Sequence, residues 1–351
     1  MTKLAIIFGG KSVEHELSLK SAVSVLSAID RSKYSITMIG ITKEGKWLLY
    51  DGPVEMIGNG EWRDYAELKL LAEPEKYELK ILTSLESMKD YADVVFPVLH
   101  GPGGENGVIQ GLIESVGLPY VGCRVLGAAL TMDKEFTKAM MRQSGFLVCD
   151  WEVYFREELQ DNSASVVKDI EEHFSYPLFV KPAGCGASMG VSKVFDRNGL
   201  IDAMKKAGSF DRKIMVESFV DGRELCVGVI GNMVPLSSAA GEVLLSGEYF
   251  DEISKKTAGT AVNYEIPAAI PADIMSKAKM LAEKAYRILD LRGFARVDFF
   301  LEKNSNELYI NEINAIPMFS EKSIFTGLWH NAGLEYSELL DRMIGYALEK
   351  E

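Results

Sequence analysis

Cysteine is scarce in this chain and never paired in sequence: the four residues Cys123, Cys149, Cys185 and Cys226 lie far apart with no CxxC spacing. Such scatter builds neither a disulfide framework nor a thiolate zinc site, and it leaves them as reduced, mostly packing residues. Positive charge is also short. Against 51 Asp and Glu there are 38 Lys and Arg, and no long basic run offsets the formal charge of -13. No nucleic-acid partner is expected, because neutralising phosphates takes clustered cations. Long apolar runs are missing too. The opening stretch Leu4 to Gly10 is too short for a membrane span or the core of a signal peptide, so no membrane partner and a cytoplasmic location are expected. With 351 residues, 47% hydrophobic and 25% charged, the chain has material for two or three globular domains.

What is present is concentrated near the C-terminal end. ARVDFFLE and ELYINEIN are rich in β-branched and aromatic residues and flank Lys303, Asn304, Ser305 and Asn306, a run of turn formers. Residues two apart on a strand share a face, so Arg296 goes with Asp298, and Glu312 with Asn314. An odd-length turn centred on Ser305 sets Asp298 opposite Glu312 and Arg296 opposite Asn314. Val297, Phe299, Leu301, Tyr309 and Ile313 then make the apolar face. Two carboxylates facing each other on a half-buried sheet repel unless a cation sits between them, and hard oxygen donors suit Mg²⁺ or Mn²⁺ better than zinc. The plain alternative is an amphipathic hairpin with its polar face in water.

Upstream, KLAIIFGGKSVEHELSLKSAVSVLSAID reads as a strand, a Gly-Gly turn and a helix in which Leu17, Ala22, Val25, Leu26 and Ile29 recur at helical spacing. This opens a doubly wound α/β domain, whose ligands bind at the carboxyl edge of the sheet. Glu14, His15 and Glu16 stand at that edge, either to meet a ligand or to complement the helix dipole. The turn lacks GxGxxG, which removes support for a dinucleotide site. His100 occupies a similar strand-to-helix junction, ahead of GENGVIQGLIESVG; His173 and His330 have no such company. ALTMDKEFTKAMMRQSGF reads as a helix carrying Lys134 and Lys138. YPLFVKPAGCGASMGVSKVF reads as two strands around a glycine-rich loop, Ala183 to Gly190, with Lys181 ending the first strand. Glycines let backbone amides approach phosphate oxygens, and the loop has no GK[ST], so it is no Walker A loop. KIMVESFVDGRELCVGVIGN gives two strands joined by a connector bearing Glu217 and Glu224, and Gly241 to Ala261, with Lys255 and Lys256, reads as a loop of the kind that makes lids.

Taken in order, GGKSVEHELSLKSA, FPVLHGPGGENGVIQG, TMDKEFTK, FVKPAGCGASMGV, MVESFVDGRE and ARVDFFLE with NEIN resemble, over nearly the whole chain, the D-alanine:D-alanine ligases of the ATP-grasp fold. That family includes the vancomycin-resistance ligases that join D-alanine to D-serine or D-lactate. The resemblance implies an N-terminal doubly wound α/β domain over residues 1–126 for the first D-alanine. It also implies two α+β subdomains, 127–213 and 214–351, that clamp ATP, the last carrying the metal site and lid. It implies an ADP-forming ligase for peptidoglycan synthesis, with ATP as substrate, two Mg²⁺ ions that Mn²⁺ can replace, D-alanine and a second D-amino or D-hydroxy acid as partners, and a homodimer.

By the same match Lys134, Lys181 and the lid lysine Lys255 reach ATP phosphates. Glu217, Ser218, Phe219, Val220 and Glu224 line the adenine and ribose side, and Asp298, Glu312 and Asn314 hold the metals. Glu14 takes the first substrate's ammonium with Leu17 and His100 beside it, Arg296 stabilises the tetrahedral intermediate, Ser188 is catalytic, and Ser323 meets the acceptor carboxylate. Three departures fall near the second substrate: Ala187 where the family has serine, Lys256 where it has an aromatic, and Met318 with Ser320 where it has Gly and Thr. D-alanine is the expected acceptor, with D-serine or D-lactate as the alternative. Another ATP-grasp carboxylate-amine ligase, or a non-catalytic nucleotide sensor, is a further alternative.

Overall fold

The computed structural model describes residues 1–77, 88–244 and 263–349. Three sheets organise them. The first contains β1 (Thr2–Gly9), β2 (Tyr34–Ile41), β3 (Trp47–Tyr50) and β4 (Val94–Val98) in the order β3-β2-β1-β4. β1 runs parallel to β2 and β4, while β3 folds back antiparallel on β2. The strand β1 is buried on both faces, which explains its unbroken apolar run. Leu4, Ile6 and Phe8 pack on Leu19, Ala22 and Val25 of helix His15–Ala28, and Ala5 and Ile7 pack with Ile109 and Ile113 of helix Val108–Ser115. The doubly wound reading therefore holds. The first helix buries Leu19 where the sequence pattern pointed to Leu17, which is half-buried.

β5 (Trp151–Phe155), β6 (Leu178–Pro182), β7 (Ser192–Val194) and β8 (Lys213–Ser218) form an antiparallel sheet, order β5-β8-β6-β7, backed by helices Arg156–His173 and Arg197–Phe210. The helix read as continuous through TMDKEF is broken into Val125–Met132 and Lys134–Gln143. Asp133 supplies the break by capping the second helix, its side chain accepting from Glu135 N and Phe136 N.

The third sheet joins β9 (Gly222–Gly231), β10 (Leu236–Ser237), β11 (Gly241–Leu244), β12 (Asn263–Glu265), β13 (Gly293–Glu302) and β14 (Leu308–Asn314), backed by helix Ala272–Ile288. The segment read as a loop from Gly241 thus begins as strand β11. Lys255 and Lys256 lie outside the described residues.

The β13/β14 hairpin pairs Arg296 with Asn314 and Asp298 with Glu312, but not through an odd turn. Lys303 to Asn306 make a four-residue turn closed by Glu302 N–H donating to Glu307 O at 2.9 Å, and a bulge between Asp298 and Phe299 then shifts the register. Phe299 faces Ile310, so Asn311 is the extra residue. Leu308, Ile310 and Ile313 are buried with Val297, Phe299 and Leu301, whereas Tyr309 pairs with Phe300 on the other face. Tyr309 therefore does not belong to the apolar face. Without the bulge, Glu312 would pair with Val297 and point into the core.

The chain's end returns to its beginning. Leu339, Leu340, Met343 and Ile344 of helix Tyr336–Leu348 are buried in one cluster with β1 and β4 side chains and with Phe294, Phe319 and Phe325. Phe319 is the hub, with ring centroids at 5.8 Å from Phe96 and 4.8 Å from Phe294. No helix among the described residues is long and apolar enough to cross a membrane.

Backbone meets backbone where β13 begins. Gly293 has φ +71, and a Cβ there would sit 3.1 Å from Gly122 N and 3.2 Å from Gly122 Cα. Gly293→Ala is expected to lower stability by about 2 kcal/mol or more, since the left-handed backbone alone costs about 1–2 kcal/mol and the contact cannot relax into side-chain space. Urea unfolding reads this directly; an unchanged midpoint would show that the two segments can separate freely.

Candidate active site

A cavity of about 440 Å³ opens between the second and third sheets. One wall carries Lys134, Phe179, Lys181, Glu217 and Ser218. The other carries Glu224, Glu242, Phe300, Asn311, Glu312 and Asn314, with Cys185 to Ser188 of the glycine-rich loop over the mouth. Each position follows from local structure. Phe179 and Lys181 are two apart on β6 and share its cleft face, and Lys134 begins a helix whose backbone N–H donates to Ala183 O at 3.0 Å. The Lys134 ammonium then donates to Cys185 O at 2.6 Å, which ties the loop to the helix. Within the loop Ala187 and Ser188 both adopt positive φ, 50° and 58°.

Glu217 on β8 is buried between two ammonium groups, Lys181 Nζ at 2.7 Å from Oε2 and Lys138 Nζ at 3.3 Å from Oε1. Burial alone would raise its pKa, but the attraction of Lys138 and Lys181 outweighs burial and holds it below the usual carboxylate range. Each carboxylate oxygen of Glu217 thus faces its own ammonium. Beside it Phe219 lies against Phe179, ring centroids 6.1 Å apart, with Lys193 Nζ 3.8 Å above the Phe219 ring. The cleft thus has an apolar slot next to a charged pair.

Across the cleft, Arg296 grips Asp298 with two parallel bonds, Nε to Oδ1 at 2.7 Å and Nη2 to Oδ2 at 2.6 Å. Asp298 has no exposed surface and stands behind Asn314, whose Nδ2 donates to Asp298 Oδ2 at 3.1 Å and Glu312 Oε1 at 3.4 Å. Burial and the nearby Glu312 push the Asp298 carboxyl upward against the pull of Arg296. Glu312 is different. Burial would raise it, yet Lys134, Lys181 and Arg296 overcome burial and bring it to about 2. The two carboxylates share one guanidinium.

The N-terminal residues approach from the loop side. A Cβ on Gly186 would lie 3.4 Å from Glu14 Oε1 and 3.9 Å from Glu105 Oε2. Glu14 stands at the start of helix His15–Ala28, and its backbone N–H donates to Ser12 Oγ at 3.1 Å. His100 is buried with Nδ1 3.3 Å from Glu105 Oε1 and Nε2 3.0 Å from Ser21 Oγ; a carboxylate only accepts, so Nδ1 donates to Glu105.

The structure therefore gathers Lys134, Lys181, Ser188, Glu217, Ser218, Phe219, Val220, Glu224, Glu312 and Asn314 around one cavity, with Asp298 and Arg296 directly behind. Leu17 and Ser323 do not line it; Ser323 caps helix Ile324–Asn331, its Oγ accepting from Thr326 N at 3.4 Å. Sequence reading missed Glu105, Phe179, Asn311, and the fork from Arg223 Nε to Glu242 Oε1 at 2.8 Å. The strand alternation around Lys181 carried the signal for Phe179; nothing local marks the Arg223–Glu242 pair. His173, given no company by the sequence, lies with Glu152 and Asp169, their ligand atoms within 4.8 Å of one another. Tyr154 OH lies between the two carboxylates there, 2.6 Å from Glu152 Oε2 and 2.8 Å from Asp169 Oδ2, with one proton to share.

Two sheets closing on a cleft with lysines on one wall and carboxylates on the other define an ATP-dependent ligase of the ATP-grasp class. Family models described as D-ala D-ala ligase N-terminus and C-terminus match residues 3–123 and 140–345. A D-alanine–D-alanine ligase of Thermoanaerobacter sp. (strain X514) is 44% identical over 99% of this chain and 96% of its own. Among solved structures, the VanG D-Ala:D-Ser ligase from Enterococcus faecalis is 34% identical with TM-score 0.85, covering 99% of both chains. The D-alanine–D-alanine ligase from Coxiella burnetii is 30% identical with TM-score 0.80, covering 99% of this chain and 95% of its own. The chain belongs to the D-alanine–D-alanine ligase family.

Glu217→Gln leaves two buried ammonium groups without a counter-charge and is expected to destabilise the fold by about 3–5 kcal/mol at neutral pH. The sign follows from the lowered pKa. In the wild type this stabilisation is present above the unfolded carboxylate value and fades as pH falls through the lower folded one, so the variant should have a shallower acid limb. Denaturant midpoints between pH 3 and 7 check both; parallel acid limbs would contradict the pairing.

Proposed function

We propose that this enzyme forms D-alanyl-D-alanine for peptidoglycan synthesis from two D-alanines and ATP. The observation that carries the reading is the division of charge in the cleft, Lys134 and Lys181 on one wall and Glu224, Glu242 and Glu312 on the other, with Glu14 and Glu105 at the loop end. A carboxylate is a poor electrophile. The γ-phosphoryl group of ATP is transferred to a carboxylate oxygen of the first D-alanine, giving ADP and D-alanyl phosphate. The amine of the second D-alanine attacks the acyl carbon; the C–N bond forms, phosphate leaves with the C–O bonding pair, and the amine releases a proton.

In this scheme Lys134 and Lys181 meet the phosphates. Phe219, Val220 and Phe179 bound the adenine slot beside the Glu217 carboxylate, and Glu224 takes the ribose. Glu14 holds the first D-alanine's ammonium, with His100 set by Glu105. Arg296 steadies the oxygen that gains charge when the amine adds. The loop from Cys185 to Ser188 shields the acyl phosphate from water, which would otherwise hydrolyse it.

The donor set fits Mg²⁺ or Mn²⁺. Asp298, Glu312 and Asn314 carry hard oxygens on facing strands, Glu312 and Asn314 lining the cavity and Asp298 behind them, and one guanidinium neutralises only one of the two carboxylates. When bound, two such ions supply charge neutralisation to the transferring phosphoryl group. D-serine or D-lactate as acceptor is the second reading, favoured by Met318, which is 38% exposed, and by Ala187 in the loop.

Incubation with ATP, Mg²⁺ and equal D-alanine, D-serine and D-lactate should yield mainly D-alanyl-D-alanine and ADP. A mixed product in excess would move the acceptor to the second reading, and no ADP would overturn the ligase reading. Glu312→Gln and Asp298→Ala should each cut turnover about 100-fold or more with the circular dichroism spectrum kept. Near-normal turnover in Asp298→Ala would remove it from the metal set.

A further inference from the structure

Lys138 has no place in the scheme above, yet it is among the largest fully buried side chains, 1% exposed. It lies one turn beyond Lys134 on helix Lys134–Gln143, and its ammonium touches Cys149 Sγ at 3.1 Å and Glu217 Oε1 at 3.3 Å. It does not line the cleft, so it makes no contact with a ligand there. Burying an ammonium is unfavourable unless a charge partner is supplied, and Glu217 is that partner. Glu217, however, already has Lys181 at 2.7 Å. One buried carboxylate thus answers to two buried cations, and the trio carries a net positive charge next to the nucleotide cleft.

The surplus has a physical consequence. If Lys181 were the sole partner of Glu217, turning the Lys181 ammonium onto a phosphate would strand a buried carboxylate, at a penalty that cancels the new contact. With Lys138 behind it, Glu217 stays neutralised when Lys181 leaves. We infer that Lys138 is a positioning residue for nucleotide binding: its charge holds Glu217 so that Lys181 is free to engage phosphate. The inference rests on the reading of this cleft as the ATP site.

Calorimetry with ADP on the purified enzyme tests both levels. Failure of the wild type to bind ADP would overturn the reading of the cleft, apart from any role of Lys138. Given wild-type binding, Lys138→Met should raise the Kd of ADP and the KM of ATP about tenfold, and Lys138→Arg, which keeps the charge, should restore most of it. In a Lys181→Met background the same change should add less than about twofold, because the residue acts through Lys181. Where Lys138→Met fails to fold, the comparison is made on Glu217→Gln, which leaves no carboxylate to neutralise. There, adding Lys138→Met should leave the Kd of ADP unchanged. A lowered Tm with unaltered Kd and KM would reduce Lys138 to a packing residue, and a full tenfold effect persisting on Lys181→Met or Glu217→Gln would overturn the inference.

Discussion

Opposite charges on the two walls of a cleft, attracting across it, are the constraint on which this structure depends. Lys134 and Lys181 stand on one side and Glu312 on the other, and the field of the lysines and Arg296 keeps Glu312 ionised to about pH 2 despite burial. Neither wall neutralises the other by contact. A polyphosphate carrying divalent cations is the inverse of that pattern, with phosphates against lysines and cations against carboxylates. Each wall alone offers only half of that pattern.

How much of this was legible in the sequence depends on what kind of information each feature needs. Alternation along single strands is local, so Asp298, Glu312 and Asn314 are legible from their neighbours alone, and Lys181 from its place at a strand end before the glycine-rich loop. The pairing of Asp298 with Glu312 was read correctly through a wrong turn, because a four-residue turn and the extra Asn311 together restore the index sum that an odd turn would have given. Tyr309, on the turn side of the bulge, exposes the difference. A bulge is decided by which residues the rest of the sheet buries, and no local pattern states that. The helix break at Asp133 was legible in principle, since an Asp two residues ahead of Glu135 is a capping signal, but the apolar periodicity running through Met132 and Phe136 masked it.

Burial of polar groups was the least visible property. Lys138 reads from sequence as one more charged position on an amphipathic helix, and only the meeting of that helix with β8 makes it a core residue. The Arg223–Glu242 fork is invisible for the same reason, as it joins β9 to β11 across a register set by the sheet. His100 was placed by its strand-to-helix position, but its orientation comes from Glu105 and Ser21, on different elements.

The distribution of the two kinds of residue follows from what each must do. Groups that touch a ligand sit at strand ends and in glycine-rich turns, where backbone geometry alone fixes their direction, and such positions leave a sequence signature. Groups that tune them are drawn from elsewhere, because a buried charge needs a partner whose own backbone is held independently. A lysine adjacent to Glu217 on the same strand would point to the opposite face. Lys138 reaches Glu217 from a helix that packs on β14, and that helix is itself anchored at its start by Asp133, whose Oδ2 accepts from Lys213 Nζ at 2.8 Å on β8. Helix and strand are therefore clamped at Asp133–Lys213 and at Lys138–Glu217, with Lys134 between the two clamps. The cleft lysine thus stands between two ion pairs, one on either side of it, and its ammonium is held in addition by Cys185 O.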